Sequence, residues 1–182
     1  MSSEFGADYG LIHEAVITGR KVGAGKDFWA TLAHSEELFA KVVAFVATAM
    51  RVVFALVAKL DRDMKNWICV EPVGVEEGEF EPILCEFLRS GETSIVGEKM
   101  ICRAKEQEIQ TGLRHAEAML RNQEMIPTEW RKYYLVFPEV WQDPNGSRRV
   151  FCLCWGGGRW FLLYYWLDCH FFSDLRLVGS RK

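Results

Sequence analysis

The sequence has no basic excess, no uninterrupted apolar run long enough for a bilayer and no complete catalytic signature. Each lack narrows what the chain can be. With 25 acidic against 22 basic side chains and a formal charge of -3, it has no long-range attraction for phosphate backbones or anionic membranes, so nucleic-acid contact would need a local patch. The longest apolar stretch, 42–58, is broken by Thr48 and Arg51. A spanning helix needs about 20 apolar residues, and an Arg near its centre costs roughly 2.5–3.5 kcal/mol. The run is therefore expected to be buried in protein, either as one helix or as a helix followed by a strand at 52–57, and a membrane partner is not expected. The first residues, Met-Ser-Ser-Glu-Phe-Gly-Ala-Asp, carry neither the basic region nor the apolar core of a secretory leader. A cytoplasmic protein with its six cysteines reduced is the expectation.

The chemical motifs are fragments. Gly19-Arg-Lys-Val-Gly-Ala-Gly-Lys26-Asp27 resembles a phosphate-binding loop, but Arg20 stands where the first Gly belongs and Asp27 where the magnesium-binding hydroxyl belongs. It reads as a surface link. His115-Ala-Glu117 is half of a zinc-deaminase signature without its Pro-Cys-x-x-Cys partner. His13-Glu14 lacks the second His of a zinc-protease helix, and Asp63-Met-Lys65 is a charged tripeptide in a charged stretch. No Gly-x-Ser-x-Gly elbow occurs. Cys152, Cys154, Cys169 and His170 are four N/S ligands of the kind zinc accepts, but their spacing is atypical of structural sites and equally fits a buried core. No metal, cofactor or catalytic residue is assigned.

What the chain does have is turn punctuation. Three apolar runs, 133–141, 149–155 and 159–167, are separated by Asp143-Pro-Asn-Gly146 and Gly156-Gly-Gly158. Pro pre-sets φ and Gly supplies positive φ, so these are hairpin turns of an antiparallel β-meander. In the last run Trp160, Leu162, Tyr164 and Trp166 share one face and Phe161, Leu163, Tyr165 and Leu167 the other. Both faces are apolar, which calls for cover on both sides. A helix within 104–122, with Ile109, Leu113, Ala116 and Leu120 on one face, weakened at Gly112 so that a start after Thr111 is the alternative, and stopped by Pro127, is the expected cover for one. The N-terminal helix, through Phe39, Val43 and Val46, or another chain is expected on the other.

Upstream, 8–18 is expected to be helical around Leu11, Ile12, Ala15 and Val16 and to end at Gly19. Asp27 is the expected cap of a helix at 28–33, and Ser35 of a second helix whose Phe39, Val42, Val43, Val46, Met50 and Val53 face a core. Charged residues 59–65 link to a second part with strands near 67–72, 80–88 and 94–103. The resulting fold class is α+β: a helical N-terminal part, 1–60, then an α+β domain, 66–182, whose meander packs on one main helix. Composition is ordinary for a globular chain, at 49% hydrophobic and 26% charged, with no repeat or low-complexity segment.

Two blocks resemble a group of uncharacterised proteins encoded by small-genome, candidate-phylum bacteria. One is Gly-Arg-Lys-Val-Gly-Ala-Gly-Lys-Asp-Phe-Trp with Glu-Leu-Phe-Ala-Lys-Val-Val-Ala-Phe-Val, within 19–46. The other is Val140-Trp141, Pro144-x-Gly146-x-Arg148-x-Val150, Arg159, Trp166, Arg176 and Arg181-Lys182. Phe171 stands where the group commonly has a second Trp. The resemblance implies two recurring modules and a cytoplasmic setting, and no activity. Arginines beside aromatics suit stacking surfaces and protein hot spots, so Trp141, Arg148, Arg149, Arg159, Trp160 and Trp166 are the candidate binding residues. The expected function is a non-enzymatic binding module for a protein, a second copy or, less well supported, nucleic acid. The alternative is a metal-dependent hydrolase or nuclease whose acidic groups meet only in the fold.

Overall fold

The apolar runs of the last third become three long strands of a six-stranded sheet in a computed structural model that describes residues 15–49, 51–73 and 77–181. The first hairpin joins β6 (Tyr134–Gln142) to β7 (Arg148–Gly156), and the second joins β7 to β8 (Arg159–Trp166). Their turns use the residues that marked them: Gly146, Gly157 and Gly158 all have positive φ, which L side chains rarely adopt. In the second, Gly156 and Arg159 are paired, leaving Gly157-Gly158 as a two-residue loop.

The sheet runs β4–β10–β6–β7–β8, where β4 is Pro82–Cys85 and β10 is Leu175–Ser180. The last strand thus lies inside the sheet, antiparallel to β4 and parallel to β6. Beyond the β10 pairing, the far half of β6 takes β2 (Ile68–Glu71) on its edge, with register breaks around Pro138. Two smaller pairs are β1 (Phe54–Leu56) with β3 (Gly78–Phe80) and β5 (Ser94–Val96) with β9 (His170–Phe172).

Both faces of the sheet are covered by this same C-terminal part. Leu113, Ala116 and Met119 of α5 (Leu113–Arg121) pack with Leu135, Phe137, Phe151, Leu153, Trp160 and Leu162. Met100, Ile101 and Ala104 of α4 (Gly97–Glu106) pack with Val136, Val140, Val150, Cys152 and Leu177. The α+β class is as expected, but the meander rests on two helices rather than one. The second helix lies where a strand over 94–103 was predicted. Only 94–96 is extended, because the amides of Gly97 and Glu98 are taken by the carbonyls of Cys169 (3.0 Å) and Leu167 (3.2 Å). That backbone cap comes from seventy residues away in the chain and leaves no local start signal.

The chain forms two compact units, Met1–Arg51 and Val52–Lys182, so β1 and the charged stretch 59–65 belong to the second. In the first unit, residues 15–21 are helical (α1), running through Gly19 rather than ending there. Gly23 (φ +98°) ends it: Gly23 N–H donates to Arg20 O (3.2 Å) and Ala24 N–H to Gly19 O (2.9 Å), a Schellman turn. α2 (Lys26–His34) starts before Asp27, which sits in its first turn. α3 (Glu36–Ala49) is capped by Ser35, whose Oγ accepts from Leu38 N–H at 3.2 Å. Gly19 gives its missing side chain to the Trp29 indole: a Cβ there would lie 2.3 Å from the ring. Phe39 and Val43, expected in a core, are 54% and 52% exposed. The expectations for 8–14 and Met50, and for the Val46 side chain, lie outside the described part.

Candidate functional site

Four buried or half-buried carboxylates organise the second unit. Glu139, in the apolar run of β6, accepts from Leu113 N–H (2.9 Å) and from the Trp141 indole (2.8 Å). Its negative charge thus sits at the N-terminus of α5, where the helix dipole favours it. Gly112 makes room, since a Cβ there would come within 2.5 Å of the carboxyl carbon. Glu117 binds a loop: Oε2 and Oε1 accept from Asp61 N–H (2.8 Å) and Arg62 N–H (2.9 Å). Asp143 accepts from Asn145 and Ser147 amides, each at 2.9 Å, and from Arg149 Nε at 2.6 Å. Burial alone would raise its carboxyl, but the Ser147 amide and the Arg149 guanidinium hold it below the usual range. Glu92 is held down to about 2 by hydrogen bonds from Arg103, which also donates to Phe87 O at 2.6 Å.

His115 and Glu117, the deaminase fragment, point into this scaffold. Gly112 N–H donates to His115 Nδ1 (3.2 Å), the ring stands edge-on to Phe80 at 4.7 Å, and burial pushes its pKa down to about 4. The zinc candidates do not come together. Cys152 is in the core with its thiol pushed up to about 12 by burial, Cys169 is exposed, and His170 Nδ1 lies 3.1 Å from Ser94 Oγ. Among the described residues no group of three or more His, Cys, Asp or Glu gathers as metal ligands would. All six cysteines are free.

The six candidate binding residues divide. Trp141 and Trp160 are buried in the core, Trp160 to 2% exposure, so neither offers a ring to a partner. Arg149 is buried against Asp143 and its guanidinium carbon lies over two rings, 4.5 Å from the centre of Tyr164 and 4.2 Å from that of Trp166. Arg148 is spent on Glu71 (2.5 Å) and Glu98 (2.6 Å). Arg159 is exposed and stacks on Phe161 at 4.5 Å. Trp166 stays 41% exposed at the sheet's outer strand, beside Tyr164 (rings 5.6 Å apart) and with exposed Leu163 next in the chain. Tyr164 and Trp166, with Arg149 as their base, and Leu163 on the other face of the same edge strand, are the candidate site. Tyr164 and Leu163 were missed as site residues because alternation shows which residues share a face, not which strand ends the sheet.

One cavity of about 450 Å³ lies between α4 and the β2 end of the sheet, with Ile101, Ala104, Ile109 and Pro138 as apolar wall and Glu71, Lys105 and Glu108 as polar groups. Lys105 Nζ lies 2.7 Å from Glu71 Oε2, so that carboxylate carries two cations. No described helix is long and apolar enough to cross a membrane. No family model matches the chain, and neither a curated protein nor a solved structure is significantly similar to it.

Proposed function

We propose that the chain is a non-enzymatic, cytoplasmic protein-binding module whose contact surface is the outer side of β8. The observation that carries this is the half-exposed pair Tyr164 and Trp166 on one face of an edge strand, their rings held by buried Arg149, with exposed Leu163 on the strand's other face. Rigid aromatics at a water-exposed edge are the residues on which protein contacts concentrate. A protein partner is favoured over nucleic acid because five of the arginines are already neutralised: Arg103 by Glu92, Arg121 by Asp61, Arg148 by Glu71 and Glu98, Arg149 by Asp143 and Arg176 by Glu86. The kinship with the candidate-phylum group belongs to the same proposal and rests on the two sequence blocks.

The test is a photo-crosslinking residue at Leu163, with one at exposed Cys102 as control, in cells producing the chain. Protein adducts from 163 alone, lost in Trp166→Ala while the melting temperature holds, are the expected result. Equal labelling from both positions, or none, would overturn it. The cavity favours a second reading, a hydrolase using Glu71 and Glu108. Glu71→Gln abolishing a metal-stimulated hydrolysis of a generic ester or phosphodiester would support it, and unchanged background rates would end it.

A further inference from the structure

We propose that the cavity beside α4 binds a small organic cation, an ammonium group on an apolar body, with Glu108 and Glu71 taking the charge. This goes beyond the β8 surface and requires no bond cleavage. The cavity lies where β6 changes neighbours: β10 pairs with it as far as Val136 and β2 only from Val140, and Pro138 between them has no N–H to offer a strand. Ile101, Ala104, Ile109 and Pro138, all buried, make an apolar floor there. At about 450 Å³ the space falls within the roughly 300–1,000 Å³ of small-molecule sites, which likewise join apolar walls to a few polar groups.

The sign of the ligand's charge follows from the rim. Among the described residues Glu108 is the one that has positive φ (+54°) without being glycine. It ends α4 in a Schellman turn, in which Ile109 N–H donates to Ala104 O (2.9 Å) and Glu108 N–H to Lys105 O (3.0 Å). Glycine is the usual residue at that position, because a Cβ there is strained. The backbone does not call for glutamate; what glutamate adds is a carboxylate side chain on the cavity wall. Glu71 lines the same cavity, its Oε1 held by Arg148 (2.5 Å) and its buried Oε2 2.7 Å from Lys105 Nζ but without a well-aligned hydrogen bond. The Lys105 side chain is 65% exposed, so it is free to swing into water and leave Oε2 to a ligand's ammonium. The cavity also lies at the C-terminal end of α4, where the helix dipole favours positive charge. Two carboxylates and a helix C-terminus against one displaceable ammonium select a cation.

The test is titration of the full chain with phenethylammonium, hydrocinnamate and phenethyl alcohol, which share a ring and carry positive, negative and no charge, followed by NMR of isoleucine methyl groups. The ammonium compound is expected to bind saturably and to shift the Ile101 and Ile109 signals, with the other two weaker by about tenfold or more, as loss of a charge-assisted hydrogen bond requires. Glu108→Gly supplies the residue that the turn prefers, so it should fold at least as stably while binding the ammonium compound about tenfold less well. Lys105→Ala removes the competing cation and should tighten binding, which keeps the idea falsifiable if Glu108→Gly does not fold. No binding of phenethylammonium, equal binding of hydrocinnamate, shifts that miss Ile101 and Ile109, or an affinity unmoved by both variants overturns the inference. The probes hold no ester or phosphodiester, so these outcomes leave the hydrolase reading to its own test.

Discussion

His115 shows how a polar residue can serve a fold by staying uncharged. Its folded pKa near 4 lies below the usual 6.5, so between those values the unfolded chain takes a proton that the folded one refuses. Stability should be full above pH 6.5 and fall toward pH 4, at up to about 1.4 kcal/mol per pH unit. Urea titrations at pH 7.5, 6 and 5 check this, and His115→Gln, which does not titrate, should flatten that part of the profile. Gly112 is a separate test at the same helix start. Its φ of -146° suits any residue, so the cost of Gly112→Ala comes from collision with the Glu139 carboxylate. About 1–3 kcal/mol of destabilisation is expected, and much less of it in a Glu139→Ala background, where the obstruction is gone.

Strand β8 and the helices facing the sheet show what local chemistry reveals and what it hides. Trp160→Ala empties a buried, closely packed position and should cost about 3–5 kcal/mol. Trp166→Ala removes a half-exposed ring stacked on Arg149 and should cost about 1 kcal/mol or less. Denaturant melts of both variants separate the two roles, which look alike in sequence. The hairpins were legible because Pro144, Gly146 and Gly156-Gly-Gly158 act within a few residues of themselves. The start of α5 was legible in part: Gly112, a poor helix interior, marked it as one of two alternatives, the other running back to Ala104. α4 was not: its first amides are capped by carbonyls near Leu167 and Cys169, and Gly97 is demanded by Phe171 and Leu167, which a Cβ would meet at 2.6 and 2.8 Å. Nor were the roles of Glu117, Glu139 and Asp143, although an acid inside the apolar run Val136-Phe-Pro-Glu-Val-Trp141 is a signal of a buried partner.

Across the whole molecule the charged stretch 59–65, read from sequence as a link, is held to α5 by two hydrogen bonds from its backbone amides to the Glu117 carboxylate. Trypsin should therefore cut after exposed Arg51, at the division between the units, well before it cuts after Arg62. Mass spectrometry of early digests checks the order, and Glu117→Gln should bring Arg62 cleavage forward. The placement of β10 between β4 and β6 has a consequence in time rather than space. During synthesis β6, β7 and β8 can form their hairpins as they emerge, but β4, made some ninety residues before β10, has no strand to lie against until 175–180 arrive. Its partner's closing contacts span most of the unit, and pairings of that separation are slow to form. Until they do, the open flank of β6 is a sticky edge, and the nascent chain has to be kept from its neighbours for as long as the ribosome takes to reach Leu175.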